Sequence, residues 1–195
     1  MDRSSLRRSL RLKRKTLTPA QQADAALSAT QQLTALPEYR AAKHIAVYWA
    51  ADGELDPALL AAHARAQGSH IYLPVISINH AGLRHMEFRE YLPTATVVAN
   101  HFGIPEPLAD AATLAPTELD MVIVPLVGFD PNGNRLGMGG GFYDTSFAFK
   151  KEGAATPLLV GFAHSCQACT ELPAEEWDVP LDMIVTEQSV IRVND

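Results

Sequence analysis

Val122-Ile-Val-Pro-Leu-Val-Gly-Phe-Asp-Pro-Asn-Gly-Asn-Arg-Leu-Gly-Met-Gly-Gly-Gly-Phe-Tyr-Asp144 is the stretch on which the reading of this chain turns. Its apolar start, from Met121 to Val127, reads as a buried strand. It then passes through a turn and sets Gly137, Gly139, Gly140 and Gly141 between Arg135 and Asp144. Glycine lacks a Cβ, so such a run lets backbone N–H groups come close to a ligand. The arginine before it suits phosphate, and the aspartate after it suits a metal ion. A plain surface turn would not need a buried strand driving into it or Phe142-Tyr143 anchoring its exit.

Working outward, strands and helices alternate. Residues 4–15 read as a basic helix in which Arg7, Arg11 and Arg14 share one face, with Leu6 and Leu10 beside them. Thr18-Pro19 reads as an N-cap and first helical residue, opening a helix from Ala20 to about Ala35 that ends before Pro37. His44–Trp49 and His70–Val75 read as strands, joined by a helix from Asp56-Pro57 to about Gln67. Residues 83–90 alternate as a strand would, and the proline-rich 99–118 is expected to be irregular. Phe142–Lys151 reads as a short helix. Pro157–Phe162, Met183–Thr186 and Val190–Val193 read as further strands. The sum is an α/β fold: a single domain over residues 1–195 in three layers, with a mostly parallel central sheet flanked by helices. Ligands of such sheets sit at the carboxyl ends of strands. Tyr48–Glu54, Gly128–Asp144 and Ala163–Gln167 all follow strands and are expected to converge at one edge.

Composition narrows the class. A 195-residue chain with 47% hydrophobic and 19% charged residues is globular and large enough to bury a core. No apolar run approaches the length of a membrane span, and the N-terminus has no signal-like apolar region, so a cytoplasmic protein is expected. The net charge of -6 is uneven. Seven of the 16 Lys and Arg lie in the first 15 residues, and 21 of the 22 acidic residues lie after them. An acidic body with one basic segment is read as one anion-seeking element, not a nucleic-acid binder. Cys166 and Cys169 form a Cys-Gln-Ala-Cys pair; His164 could add a third metal ligand, but no fourth is evident, so two reduced cysteines are expected.

The glycine run departs from the common phosphate patterns. No Gly-Lys-Ser/Thr follows it, and Phe142 stands where a dinucleotide fingerprint starting at Gly137 needs its last glycine. Asp130, Asn132 and Asn134 start like a calcium loop but lack its later Gly and Glu. From the residues alone the site takes an anion and a metal ion; the reaction stays open.

Arg135-Leu-Gly-Met-Gly-Gly-Gly-Phe-Tyr-Asp144 resembles the signature of the 5-formyltetrahydrofolate cyclo-ligase family, also called methenyltetrahydrofolate synthetases. Arg7–Arg11, Gly53-Glu-Leu-Asp56, Gly103–Pro107 and Trp177–Asp182 fall in the family's order, so the resemblance spans nearly the whole chain. It implies conversion of 5-formyltetrahydrofolate to 5,10-methenyltetrahydrofolate with ATP and Mg2+, releasing ADP and phosphate. By position it implies that Arg135 and Tyr143 are catalytic. ATP would be held by Arg7, Arg11, Arg135, Leu136, Gly137, Met138, Gly139, Gly140, Gly141, Phe142 and Tyr143. Folate would be held by Trp49, Glu54, Met138, Gly139, Gly140, Gly141 and Phe142. Asp144 and Asp178 would hold Mg2+, with Asp182 as a rival to Asp178. Two positions depart from the family's usual residues: Arg7 stands for Lys, and Phe142 for Tyr, so a hydroxyl contact is lost. Trp49 reads equally as a core aromatic.

The partners implied are small molecules, with no membrane or nucleic acid and a monomeric chain. The alternatives are an ATP-dependent enzyme on another heterocycle, and a folate-binding regulatory protein without turnover. An RNA partner is suggested only by the basic N-terminus.

Overall fold

The computed structural model describes residues 2–78, 82, 84–101 and 103–193. Helices α1 (Arg3–Lys15), α2 (Pro19–Thr34) and α3 (Pro37–Ala41) precede strand β1 (His44–Ala46). Helix α4 (Ala58–Ala66) leads to β2 (His70–Ile78), β3 (Arg84–Glu90), β4 (Val97–Ala99), β5 (Pro105–Pro107) and β6 (Thr113–Leu114). Next come β7 (Met121–Val124), β8 (Gly128–Phe129), β9 (Arg135–Leu136) and α5 (Phe142–Ser146). β10 (Leu158–Phe162), β11 (Met183–Val185) and β12 (Val190–Arg192) complete the chain.

Eight strands form one sheet in the order β12-β11-β10-β7-β1-β2-β3-β6. The five central strands, β11, β10, β7, β1 and β2, pair in parallel, and β12, β3 and β6 are antiparallel at the edges. The expected mostly parallel α/β sheet is therefore present. Period-two alternation divides its residues between two cores. Ile45, Met121, Ile123, Val160 and Phe162 pack with α2 and α4, whereas Ala46, Val122, Val124 and Leu159 pack with Phe88, Phe147 and Leu181. Both faces are covered, so the strands read as unbroken apolar runs.

Several boundaries differ from expectation for local reasons. β7 ends at Val124 because Pro125 has no N–H and the chain then turns away, with Val127 N–H donating to the Leu136 carbonyl at 2.7 Å. β1 is likewise shorter than His44–Trp49, although Val47 N–H still reaches the Tyr72 carbonyl at 2.9 Å. The segment expected to be irregular holds β5 and β6. Its prolines are accommodated because β4 and β5 make a separate two-stranded ribbon, with Val97 opposite Pro107 and Ala99 opposite Pro105. β2 runs past Val75 through Pro74, beyond the residues paired with β1. Ile76, two residues on, gives its N–H to Glu106 Oε1 at 3.0 Å, so the missing N–H of Pro74 points away from β3 too. The strand expected over 83–90 is β3, Leu83 lying outside the described residues. The helix expected over 142–151 is α5 followed by a 3-10 helix, Ala148–Glu152.

α2 opens as its sequence dictates: Thr18 and Gln21 satisfy each other's backbone N–H groups in a capping box, with Pro19 in the first turn. α1 is capped by Asp2, which accepts from the N–H groups of Ser4 and Ser5. It lies over the carboxyl end of the sheet, where Leu10 packs with Val127, Leu136 and Leu172. That docking needs Gly128: a Cβ there would stand 2.4 Å from Leu10 Cδ1. Among the described residues no helix is long and apolar enough to cross a membrane.

Candidate active site

Three loops leave the carboxyl ends of β1, β7 and β10 at one edge of the sheet, and α1 ties them together. Arg14 is fully buried within a basic helix, which requires its charge to be paired. Its Nε donates to the Asp52 carbonyl at 2.8 Å and its Nη1 to the Leu126 carbonyl at 3.2 Å. Its Nη2 donates to Asp52 Oδ2 at 2.9 Å and lies 3.9 Å from Glu54 Oε1. Gln167 Nε2 reaches the carbonyls of Leu126 and Val127 at 2.8 and 3.0 Å, adding the loop after β10. Arg7 Nε donates to the Gly137 carbonyl at 2.7 Å, and a Cβ on Gly139 would stand 3.8 Å from its guanidinium. Arg11 Nε donates to Asp52 Oδ2 at 2.6 Å. So Arg7 and Arg11 do face the loops, Arg7 on the glycine run and Arg11 on the loop that carries Glu54.

Asp52 and Arg14 had no role in the sequence reading. Arg14 shares the face of Arg7 and Arg11, so its inward direction was visible; its partner was not. Asp52 takes Lys15 Nζ on Oδ1 at 2.5 Å as well as the two arginines on Oδ2. The Arg11 hydrogen bond, with Lys15 and Arg14 adding to it, holds its carboxyl well below the usual carboxylate range against partial burial. Its backbone has φ 53°, a left-handed conformation that aspartate tolerates better than most residues.

The glycine run itself is open to a ligand. Gly139 and Gly141 have φ of 98° and 67°, conformations that call for glycine. Met138 is exposed on the run, and Phe142 packs partly into the core beside Gly140. Arg135 at its start is 9% exposed and donates from Nη2 to Asp144 Oδ1 at 2.6 Å and from Nη1 to the Val179 carbonyl. Burial lowers its pKa from the ordinary value, and Asp144 and Asp178 oppose that. Leu136, next in line, is buried under α1 and can offer a ligand only its backbone.

Asp144 and Asp178 stand at one corner, since Asp144 Oδ1 also accepts the Val179 N–H at 3.1 Å. Asp178 Oδ2 accepts from Arg3 Nη1 at 2.8 Å and from Glu175 N–H at 2.9 Å. Partial burial pushes Asp178 up, but Arg3, the Glu175 N–H and Arg135 outweigh it and hold it low. Asp182 has other partners: its Oδ2 accepts the Leu159 N–H at 2.7 Å and pairs with Lys150 Nζ at 3.1 Å. Among the described residues no three His, Cys, Asp or Glu side chains could hold a metal ion together. The corner offers two hard carboxylates, each paired with an arginine. That suits an ion such as Mg2+, which completes its shell with water and phosphate oxygens. Cys166 and Cys169 are free and half-buried, and burial raises both thiols.

Glu54 is mostly buried, with Oε2 accepting the Ala51 N–H at 3.1 Å. Burial raises its pKa, while the Ala51 N–H and Arg14 oppose the rise. Tyr143 lies within the electrostatic reach of both Glu54 and Arg135; burial and then Glu54 push its hydroxyl well above the ordinary tyrosine value. Its ring stacks on Phe147, centroids 6.2 Å apart. Trp49 is 40% exposed and meets Tyr91 edge-on at 6.0 Å, so it is not a core aromatic.

This arrangement can grip a polyanion between α1 and the glycine run, with a carboxylate-lined loop alongside. A family model described as the 5-formyltetrahydrofolate cyclo-ligase family matches residues 1–187. A 5-formyltetrahydrofolate cyclo-ligase of Haemophilus influenzae is 42% identical over 186 residues, which cover 94% of this chain and 97% of that protein. The protein of the same name from Escherichia coli is 40% identical over 182 residues, 93% and 98% of the two chains. The NMR structure of Aquifex aeolicus 5,10-methenyltetrahydrofolate synthetase superposes with a TM-score of 0.82 at 30% identity, over 100% of this chain and 94% of that one. Sequence and fold agree along almost the full length, and the chain belongs to the 5-formyltetrahydrofolate cyclo-ligase family.

Proposed function

We propose that the protein closes the imidazoline ring of 5,10-methenyltetrahydrofolate from 5-formyltetrahydrofolate and ATP. The observation that carries this is the junction of α1 with the loops after β1 and β7. It sets Arg7 against the glycine run and Arg11 against the acidic loop that carries Glu54. The formamide oxygen is a poor leaving group. Transfer of the γ-phosphoryl group of ATP to that oxygen releases ADP and makes it a good one. The N10 nitrogen then attacks the formyl carbon and gives up its proton, the carbon–oxygen bond breaks, and phosphate leaves, able to carry that proton away. The protein's part is to position both substrates and to stabilise charge.

In this reading Arg7 and Arg11 bind the phosphates together with the backbone of Gly137–Tyr143. Arg135 draws its charge toward the transferring group from its place beside Asp144. Tyr143, kept protonated by burial, donates a hydrogen bond at the same point. Glu54 accepts from the donor edge of the pterin, and Trp49, Met138 and Phe142 line the folate. Asp144 and Asp178 would hold Mg2+, which when bound offsets phosphate charge. Residues 1–195 act as one domain, a monomer in the cytoplasm working on free small molecules.

The test mixes purified protein with 5-formyltetrahydrofolate, ATP and Mg2+ and follows the absorbance of the methenyl product. Product that depends on all three additions supports the reading. Protein that binds ATP but forms no methenyl product at any pH or salt concentration would sink it.

A further inference from the structure

Asp52 is the point where the two proposed subsites meet. Its carboxylate carries three cations from one helix: Arg11 at 2.6 Å, Arg14 at 2.9 Å and Lys15 at 2.5 Å. Their exposures differ. The Arg14 side chain is 0% exposed, against 39% for Arg11 and 50% for Lys15. Arg14 is also fixed by the carbonyls of Asp52 and Leu126, so it cannot leave. Arg11 and Lys15 can turn outward. They share an open, basic face of α1 with Ser4, Arg7, Arg8 and Leu12. Glu54, two residues beyond Asp52, lies 3.9 Å from the same Arg14 Nη2 that binds Asp52 at 2.9 Å. Arg14 is thus hydrogen-bonded to Asp52, and Glu54 borders the same cluster without a hydrogen bond to it.

We infer that Asp52 is a positioning residue that couples the nucleotide and folate subsites through an exchange of cations. The inference rests on the functional reading above, in which Arg11 meets phosphate and Glu54 meets the pterin. When phosphate draws Arg11 and Lys15 outward, the Asp52 carboxylate keeps only Arg14, and its loop stays tied to α1 through that one residue. Two of the three ties that hold the Glu54 loop to α1 are then released, and the loop can settle with Glu54 against the substrate. Nucleotide thus tightens folate, and by linkage folate tightens nucleotide by the same factor.

The experiment is calorimetric titration of 5-formyltetrahydrofolate into the full chain, with and without a saturating non-hydrolysable ATP analogue and Mg2+. In the wild type the analogue should lower the folate Kd by about fivefold or more, the small end of ordinary coupling. Asp52→Asn keeps a residue that tolerates the left-handed backbone but removes the charge, and should bring the ratio of the two Kd values to within about twofold of one. If that variant does not fold, Arg11→Gln removes the exchanging cation and should give the same loss of coupling. A wild-type ratio of one, or coupling that survives intact in a folded Asp52→Asn, overturns the inference and leaves the functional reading standing. Wild-type protein that binds neither ligand overturns both.

Discussion

At the scale of single residues, Arg135 shows how one side chain can serve two ends. It is buried and paired with Asp144, so part of its effect is to hold the corner where Asp178 also stands. If it also meets charge that develops only during phosphoryl transfer, Arg135→Ala should lower kcat by about a hundredfold or more while the folate Kd changes less than threefold. Equal loss in both would mark Arg135 as a purely structural arginine. His164 presents the opposite case, a buried imidazole with no well-formed hydrogen bond at either ring nitrogen among the described residues, the Gly53 backbone being the polar group that favours its charged form. Burial lowers its pKa below the ordinary 6.5, with Glu187 opposing. The unfolded chain therefore takes up this proton first as pH falls. The stability contributed by the neutral ring is complete above about pH 6.5 and erodes below it. Melting temperatures should then fall more between pH 7 and pH 5 for the wild type than for His164→Gln. A parallel decline in the two would remove His164 from the account.

Among the elements, α1 matters most, because it carries the cations of the site and is held by few apolar contacts. Leu10 is the anchor, and it fits only because Gly128 has no side chain. Gly128→Ala should displace the helix at a cost of about 1–3 kcal/mol. Since 1.4 kcal/mol is about a tenfold change, the KM for ATP should rise by roughly that order while the sheet stays folded. Adding Leu10→Ala should restore part of the ATP affinity by making room. Kinetics on the single and double variants, with circular dichroism as the control for folding, decide the matter. The helix and its charged face were legible from spacing alone, since Arg7, Arg11 and Arg14 recur at helical intervals. β5 was not, because Pro105 and Pro107 speak against a strand and only the isolated ribbon with β4 makes them acceptable.

For the whole molecule, stability comes from a sheet buried on both faces. Phe162 ends β10 inside the core shared with α2 and α4 and is 1% exposed. Phe162→Ala should cost about 3–5 kcal/mol, read as a lower denaturant midpoint with an unchanged slope. The sequence by itself determined the order of strands and helices, the parallel core, the glycine run and the basic face of α1. Those follow from periodicities of two and 3.6 residues and from backbone chemistry, which act over short stretches of chain. It also carried the family, through a motif of contiguous residues. Only the tertiary structure decided which charges meet. Arg14 and Asp52 are 38 residues apart and Arg3 and Asp178 are 175 apart, so their pairing depends on where loops end and how α1 is docked. The same physics separates Asp178 from Asp182. Four residues apart and chemically alike, one faces the Arg135 corner and the other ties β10 to Lys150, because Asp182 immediately precedes β11, which pairs with β10, whereas Asp178 lies in the turn before it.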